Sequence, residues 1–450
     1  MTLRLRSLVL GAMLAVTAAQ PVLAQSVLRD SETEALFRDI SKPLIEAAKL
    51  DPKSVNVILL NDPEINAFVA TGQTVYIQSG LLVAADNVNQ LQGVIAHELG
   101  HVAGGHSIRI RDGEAVASKI SLLSLLLGAA AMAAGAGEAG MGILAAGQQA
   151  AQGNLYAFSR AQESSADLAG AKYLTTAGIS GMGTLEFFKK LQNQEYRLAE
   201  TQRDDYASTH PLNADRIQTL EQIYKNDPAW NKPIDPRLEA RFERVKAKLL
   251  GFVDARRATM LYPESDQSVP AHYARAYAYH LGAYPDKANQ EANALLATAP
   301  DDPYFLELKG QILLEGGKPA EAIPPLRRAV AKAPDKPMIA ALLGHALVAT
   351  EDGKNYPEAK AVLRQAIARD NDNPDAWYQL GIVYDHDGDS ARASLATAER
   401  YNLEGENKSA LTAAKTAVNG LKAGTPDYLR AQDIVMVSEI ALKKDKKKKK

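Results

Sequence analysis

Leu91-Gln-Gly-Val-Ile-Ala-His97-Glu98-Leu99-Gly100-His101 reads as one helix with a reactive turn built into it. Leu91, Val94, Ile95, Leu99 and Val102 recur at helical spacing, which predicts an α-helix with one face in the core. His97 and His101 are four residues apart and project from the same side, where two imidazoles can share one tetrahedral zinc ion. Glu98 stands beside them, placed to take a proton from an activated water without being a ligand itself. Gly93, Gly100 and Gly104 thin the helix, so neighbouring backbone is expected close by. The plainer alternative is a helix with two exposed histidines. With eight histidines in the whole chain, the motif would arise by chance in roughly one such sequence in a hundred.

A hydrolytic zinc site needs a third protein ligand and an open fourth position. His106, in His101-Val-Ala-Gly104-Gly105-His106, is one residue short of the HExxHxxGxxH spacing, and such a shift on a turning backbone misdirects the ring. It reads otherwise as a helix C-terminal histidine that complements the dipole there. Glu163, in Ser159-Arg160-Ala-Gln-Glu163-Ser-Ser-Ala166-Asp167, is the second candidate. Glu163 and Asp167 are an i, i+4 pair on one face, so Glu163 can bind the ion while Asp167 accepts the free ring N–H of a liganding histidine. Alone, the pair would read as a solvated acidic face.

Outward from these motifs, Val55–Leu60 and Gln73–Gln78 are apolar, β-branched runs bordered by turn residues, with Asn66–Ala70 a third short strand between them. If the Gln73–Gln78 strand is an exposed edge, Thr74, Val75 and Tyr76 would hold a substrate peptide as an added strand; it reads equally well as an ordinary inner strand. Ile120–Gly137 carries no charge, and only Glu138 interrupts the apolar, Gly/Ala-rich character up to Ala151. That length raises a membrane span. A single crossing, however, would put His101 and Glu163 on opposite sides of the bilayer. The segment 117–152 is therefore expected to be a helical hairpin or flap near the site, with Gly128, Gly135, Gly137 and Gly140 giving flexibility and peripheral membrane contact an option.

From about Val269 a period emerges. Pro300 and Pro334 are 34 residues apart, Ala276 matches Gly310, and Ala288 matches Ala322. A third copy begins near Pro337 with about three extra residues around Asp352–Tyr356, and a fourth begins at Pro374. The pattern resembles the tetratricopeptide repeat, whose paired helices bury their apolar stripes only against neighbours. Ser409–Leu421 and Pro426–Leu442 read as a helical cap.

The HExxH helix, the Arg160–Asp167 motif, then Ser208-Thr209-His210-Pro211 and Arg216 together resemble the M48 family of zinc peptidases over roughly residues 36–224. That resemblance implies a gluzincin-like fold with one Zn²⁺ per chain held by His97, His101 and Glu163. Glu98 would be the general base, with Asp167, Arg160 and Arg216 around the ligands. It also places His210 beside the metal, either steadying the oxyanion or filling the fourth position and keeping the site latent. Exported members with such repeats imply a periplasmic endopeptidase of envelope or outer-membrane protein quality control. Unfolded or misassembled envelope proteins would be its substrates, and the array would bind them or the outer-membrane assembly machinery. The rival is a chaperone or scaffold that cleaves little.

The termini and composition bound the rest. Arg4 and Arg6, an uncharged run from Ser7 to Ala19, and Val22 and Ala24 have the form of a signal peptide over 1–24, cleaved after Ala24. The absence of cysteine excludes disulfides, thiol catalysis and a lipoprotein anchor. A net charge of −2 gives no reason to expect nucleic-acid binding. The lysine-rich tail, 443–450, should be solvated and disordered. The expected architecture is mainly α with a small β-sheet: a gluzincin-like metalloprotease domain at 25–225, a helical connector at 226–268, and an α-solenoid of tetratricopeptide repeats with its cap at 269–442.

Overall fold

The computed structural model describes residues 26–70, 72–133, 136–197, 210–211 and 213–448. The expected signal peptide, Ser208 and Thr209 lie outside the described residues. The chain is mainly helical with one small sheet, and it divides into two compact units that do not follow a single cut. The first holds the described residues up to Leu28, with Leu44–Ala85 and Gly93–Trp230; the second holds Arg29–Pro43, Asp86–Gln92 and Asn231–Lys450.

In the first unit, β1 (Ser26–Leu28), β2 (Asn56–Asn61), β3 (Ala67–Val69) and β4 (Thr74–Gln78) form a sheet in the order β1-β2-β4-β3. The two β-branched runs, β2 and β4, pair in parallel, with Asn56 opposite Thr74. β3 pairs antiparallel on the other side of β4, with Phe68 opposite Tyr76. The expectation of an exposed edge at Thr74, Val75 and Tyr76 is therefore corrected, because a strand paired on both sides has no free ladder to offer. The edges belong to β1 and, on the β4 side, to β3.

Helix α1 (Ser31–Ala47) is followed after the sheet by α2 (Ser79–Ala84) and α3 (Val88–Gly104), the helix of the histidine motif. Gly93 to His101 is buried without interruption, so α3 is enclosed on all sides and not on one face. Its glycines explain how. A Cβ on Gly100 would lie 2.6 Å from the Ala166 carbonyl oxygen, and one on Gly170 would lie 3.1 Å from the Ala96 and His97 backbone. These close approaches press α3 against the later helix that carries Glu163. Gly105, at φ +62°, turns the chain into α4 (His106–Ala133).

α4 packs along α5 (Gly137–Ala177) as a long hairpin, as the apolar segment implies. Gly128 and Gly140 serve here as contact positions: a Cβ on Gly128 would meet the Leu144 side chain, and one on Gly140 the Met132 side chain, at 2.7 and 2.4 Å. Gly135 lies outside the described residues. Leu122, Leu123 and Leu125–Leu127 are more than half exposed, and Gly113–Ala133 is the one helix among the described residues long and apolar enough to cross a membrane. The unit closes with α6 (Met182–Arg197) and α7 (Ala214–Lys225), the latter capped by the Asn213 side chain, which accepts the Arg216 backbone N–H.

In the second unit, α8 (Pro236–Val253) and α9 (Ala255–Leu261) lead into helix pairs α10 (Val269–Leu281) and α11 (Pro285–Thr298), α12 (Pro303–Glu315) and α13 (Pro319–Lys332), α14 (Pro337–Ala349) and α15 (Tyr356–Arg369), α16 (Pro374–His386) and α17 (Ser390–Leu403). Proline opens many of these helices, where its missing N–H is not needed. Gly310 and Gly344 fill equivalent places: a Cβ on either would lie 2.4 Å from a leucine of the paired helix, Leu326 or Leu363. The three extra residues of the third copy form a 3₁₀ turn, Gly353–Asn355. α18 (Asn407–Gly420) and α19 (Pro426–Lys448) end the array. The lysine run to Lys448 continues α19 and is not a disordered tail, since cations at a helix C-terminus complement its dipole; Lys449 and Lys450 lie outside the described residues. Residues 29–43 are tied into this unit by buried charges. Lys248 pairs with Asp30, and Glu32 accepts from Tyr273 Oη at 2.7 Å and forms an ion pair with Arg244 at 2.7 Å.

Candidate metal centre

α3 supplies His97, Glu98 and His101, α5 supplies Glu163 and Asp167, and the loop before α7 supplies His210. All are buried. His97 Nε2 lies 3.1 Å from His101 Nε2, 3.3 Å from His210 Nδ1 and 3.4 Å from Glu163 Oε2. Glu163 Oε1 lies 3.3 Å from His101 Nε2 and 3.1 Å from His210 Nδ1. A tetrahedral ion with bonds of about 2.0–2.1 Å spaces its donors roughly 3.3 Å apart. Three imidazoles and one carboxylate at this spacing fit a zinc-type ion by both chemistry and size.

Electrostatics point the same way. Burial opposes charge on Glu163, yet His101, His210 and His97 together hold its carboxyl far below the usual carboxylate range. Burial also opposes a proton on His97, but hydrogen bonding to Asp167 and Glu163 outweighs it and pushes the ring up to about 10. The field of the two carboxylates thus favours positive charge at the point where the donors converge. Burial keeps His101 below its ordinary value, toward the neutral ring a metal ligand requires.

Behind the donors, His97 Nδ1 lies 3.0 Å from Asp167 Oδ1. Arg216 donates to both Asp167 oxygens, Nε at 2.6 Å and Nη2 at 2.8 Å, and reaches Glu163 Oε2 at 3.1 Å. The same guanidinium donates to the Pro211 carbonyl at 2.8 Å, which fixes the loop carrying His210. Glu98 is wholly buried and neither of its carboxylate oxygens has a hydrogen-bond partner among the described residues. An orphaned acceptor of this kind is costly unless a working group needs it.

Residues 13–224 match Peptidase family M48, and residues 284–337 and 352–388 match tetratricopeptide repeat families. This chain carries an M48 peptidase domain followed by tetratricopeptide repeats. The Beta-barrel assembly-enhancing protease of Yersinia pestis is 26% identical over 381 residues, spanning 83% of this chain and 76% of the relative. Its counterpart in Escherichia coli (strain K12) gives the same figures. Metalloprotease LoiP of that strain is 32% identical over 177 residues, 38% of this chain and 63% of the relative. Family and relatives together support a metalloprotease.

Within the M48 domain, His97, His101, Glu163 and His210 are brought together, with Glu98, Asp167 and Arg216 against them. Arg160 is not. It is exposed on α5, lines a cavity of about 220 Å³ next to Glu163, and makes no hydrogen bond or ion pair among the described residues. It shares that cavity with Glu163, Asp167 and Arg216, but its exposed guanidinium holds none of the donors.

His106 has a role that sequence spacing did not disclose. It is too far round to join the donors, but its Nδ1 lies 2.9 Å from His101 Nδ1, the ring nitrogen that faces away from them. With His101 Nε2 turned to a metal, His101 Nδ1–H donates to His106. Gly104 is required for this, since a Cβ there would sit 2.3 Å from His106 Nε2. His106→Ala is expected to weaken metal retention by roughly 10–100-fold, measured by competition with a chromogenic chelator, and His106→Asn to restore part of it.

Proposed function

We propose that this chain is a periplasmic zinc endopeptidase that removes unfolded or misassembled envelope proteins. Its signal peptide would be cleaved after Ala24, and its repeats, 269–442, would bind substrate or the outer-membrane assembly machinery. The carrying observation is the set of donors at 3.1–3.4 Å with an unsatisfied, buried Glu98 carboxylate beside it. The relatives named Beta-barrel assembly-enhancing protease support the envelope role.

His97, His101 and Glu163 would hold one Zn²⁺. That ion would supply Lewis acidity, polarising the scissile carbonyl and acidifying the attacking water. Glu98 takes the water's proton and delivers it to the departing amine. Asp167 and Arg216 keep His97 and Glu163 in place.

Substrate is held by the β3 edge. Asn66 O and the Ala70 N–H face β4, so by alternation the backbone groups of Ala67 and Val69 face outward. A peptide added there as a strand is gripped by backbone, which suits cleavage of varied sequences. The exposed leucines of the α4–α5 hairpin, which is rooted at the donors through His106 and Glu163, offer apolar surface to unfolded chains.

His210 obstructs both functions at once. Its Nδ1 fills a donor position and its Nε2–H donates to Ala67 O at 3.3 Å, on the edge that substrate needs. The resting site is latent in this reading. His210→Ala should retain zinc and raise casein hydrolysis by roughly tenfold; a fall in hydrolysis would assign the ring to the oxyanion and end the latch. The overall reading is tested by metal analysis of the purified protein and by casein digestion with and without a chelator. A preparation free of zinc whose digestion ignores chelation would overturn it.

A further inference from the structure

Within the repeats, α15, α16, α17 and α19 line an open cavity of about 410 Å³. Arg364, Arg369, Arg392 and Arg430 reach it, against a single lining carboxylate, Asp427. Two of the four are committed. Arg392 is held by Asp389 and Asp427 at 2.8 and 2.7 Å, while Arg430 pairs with Glu399 and lies 4.8 Å over the Trp377 ring. The other two are not. Arg369 gives one hydrogen bond, to the Pro334 carbonyl, and exposed Arg364 makes no hydrogen bond or ion pair among the described residues.

Pairing is otherwise common along this array: Arg327 with Glu358, Arg328 with Asp301, and Arg400 with Glu404. Two guanidinium groups without an acid, five residues apart on one helix and opening on one cavity, depart from that pattern. The cavity's other wall is apolar, with buried Trp377, Leu380 and Leu395. Trp377 spends its N–H on Asn371 O at 2.9 Å, so it presents no free donor. The volume lies in the range of ligand pockets, about 300–1,000 Å³. It admits a few residues of extended chain and excludes a folded domain.

We propose that this cavity binds a carboxylate of a partner polypeptide next to an apolar side chain. Arg364 and Arg369 grip the acid, and the Trp377 wall takes its neighbour. Planar guanidinium forks match a carboxylate in geometry as well as charge. The carboxylate comes from a chain terminus or from an Asp or Glu side chain. This inference rests on the reading of the repeats as the protein-binding arm, and it names the chemistry that arm selects.

The test is fluorescence anisotropy with the full chain carrying Glu98→Gln, so that probes are not cut. Three labelled heptapeptides serve as probes: a Gly/Ser peptide ending in Leu-Phe as the free acid, the same peptide as its C-terminal amide, and that amide with Asp before Leu. The free acid or the Asp-bearing amide should bind more tightly than the neutral amide, and whichever leads names the source of the carboxylate. Arg364→Glu should weaken that probe by about tenfold or more. Arg364→Lys should weaken it less, because the charge remains while the fork is lost. Equal affinity for all three probes, or affinity unchanged in a chain carrying both Arg364→Glu and Arg369→Glu, overturns the proposal. The readout is binding and not hydrolysis, so failure here leaves the peptidase reading standing, and failure of the peptidase reading leaves this result intact.

Discussion

Glu98→Gln is expected to lower casein hydrolysis by roughly 10²–10⁴-fold while leaving the zinc content of the purified protein unchanged. The amide keeps the volume of a wholly buried side chain, so the packing of α3 is preserved. What it cannot do is accept and return a proton. Glu98 is not one of the converging donors, so removing its charge does not remove a ligand. Metal analysis and a digestion time course check both halves. Hydrolysis that survives would displace Glu98 as the base. The same variant separates protease from chaperone: if it restores envelope function in cells without cleaving, the scaffold reading gains what the peptidase reading loses.

Glu163→Ala should act on the metal itself. Glu163 lies 3.1–3.4 Å from three imidazole nitrogens and 3.1 Å from Arg216. Its removal takes one ligand from the ion and one counter-charge from a buried guanidinium. Breaking a buried pair from one side costs about 3–5 kcal/mol. The expected result is zinc lost on dialysis, hydrolysis at background, and a melting temperature lowered by several degrees. Glu163→Gln, which keeps the shape, should melt higher than Glu163→Ala yet still lose activity. Stoichiometric zinc in Glu163→Ala would mean that another group completes the site.

Local periodicity made much of this legible. The HExxH helix and the Glu163–Asp167 pair are i, i+4 relations, fixed by helix geometry wherever the helix ends up. The repeats showed through the recurrence of small residues every 34 positions, and even the 3₁₀ turn at Gly353–Asn355 was visible as extra length. What stayed hidden depends on contacts between distant segments. Nothing in Thr74-Val-Tyr76 reports that β2 and β3 will flank it, and β3 is too short for alternation to mark it as the edge. Spacing tested whether His106 could reach the ion and rejected it, but could not ask whether it would reach the far side of His101. Arg160 shares a motif and a cavity with Glu163, yet its side chain stays exposed and pairs with none of the donors.

The scattered membership of the second unit has a practical and an evolutionary meaning. Lys248 and Tyr273 are buried against Asp30 and Glu32, more than two hundred positions earlier in the chain. A fragment begun at Asn231 would strip the ammonium of its counter-charges and uncover aromatic surface, so it should express poorly or aggregate. The array is not a cassette that recombination could graft onto another hydrolase by one crossover. Two remote strips of N-terminal sequence must travel with it, which ties the inheritance of arm and enzyme together.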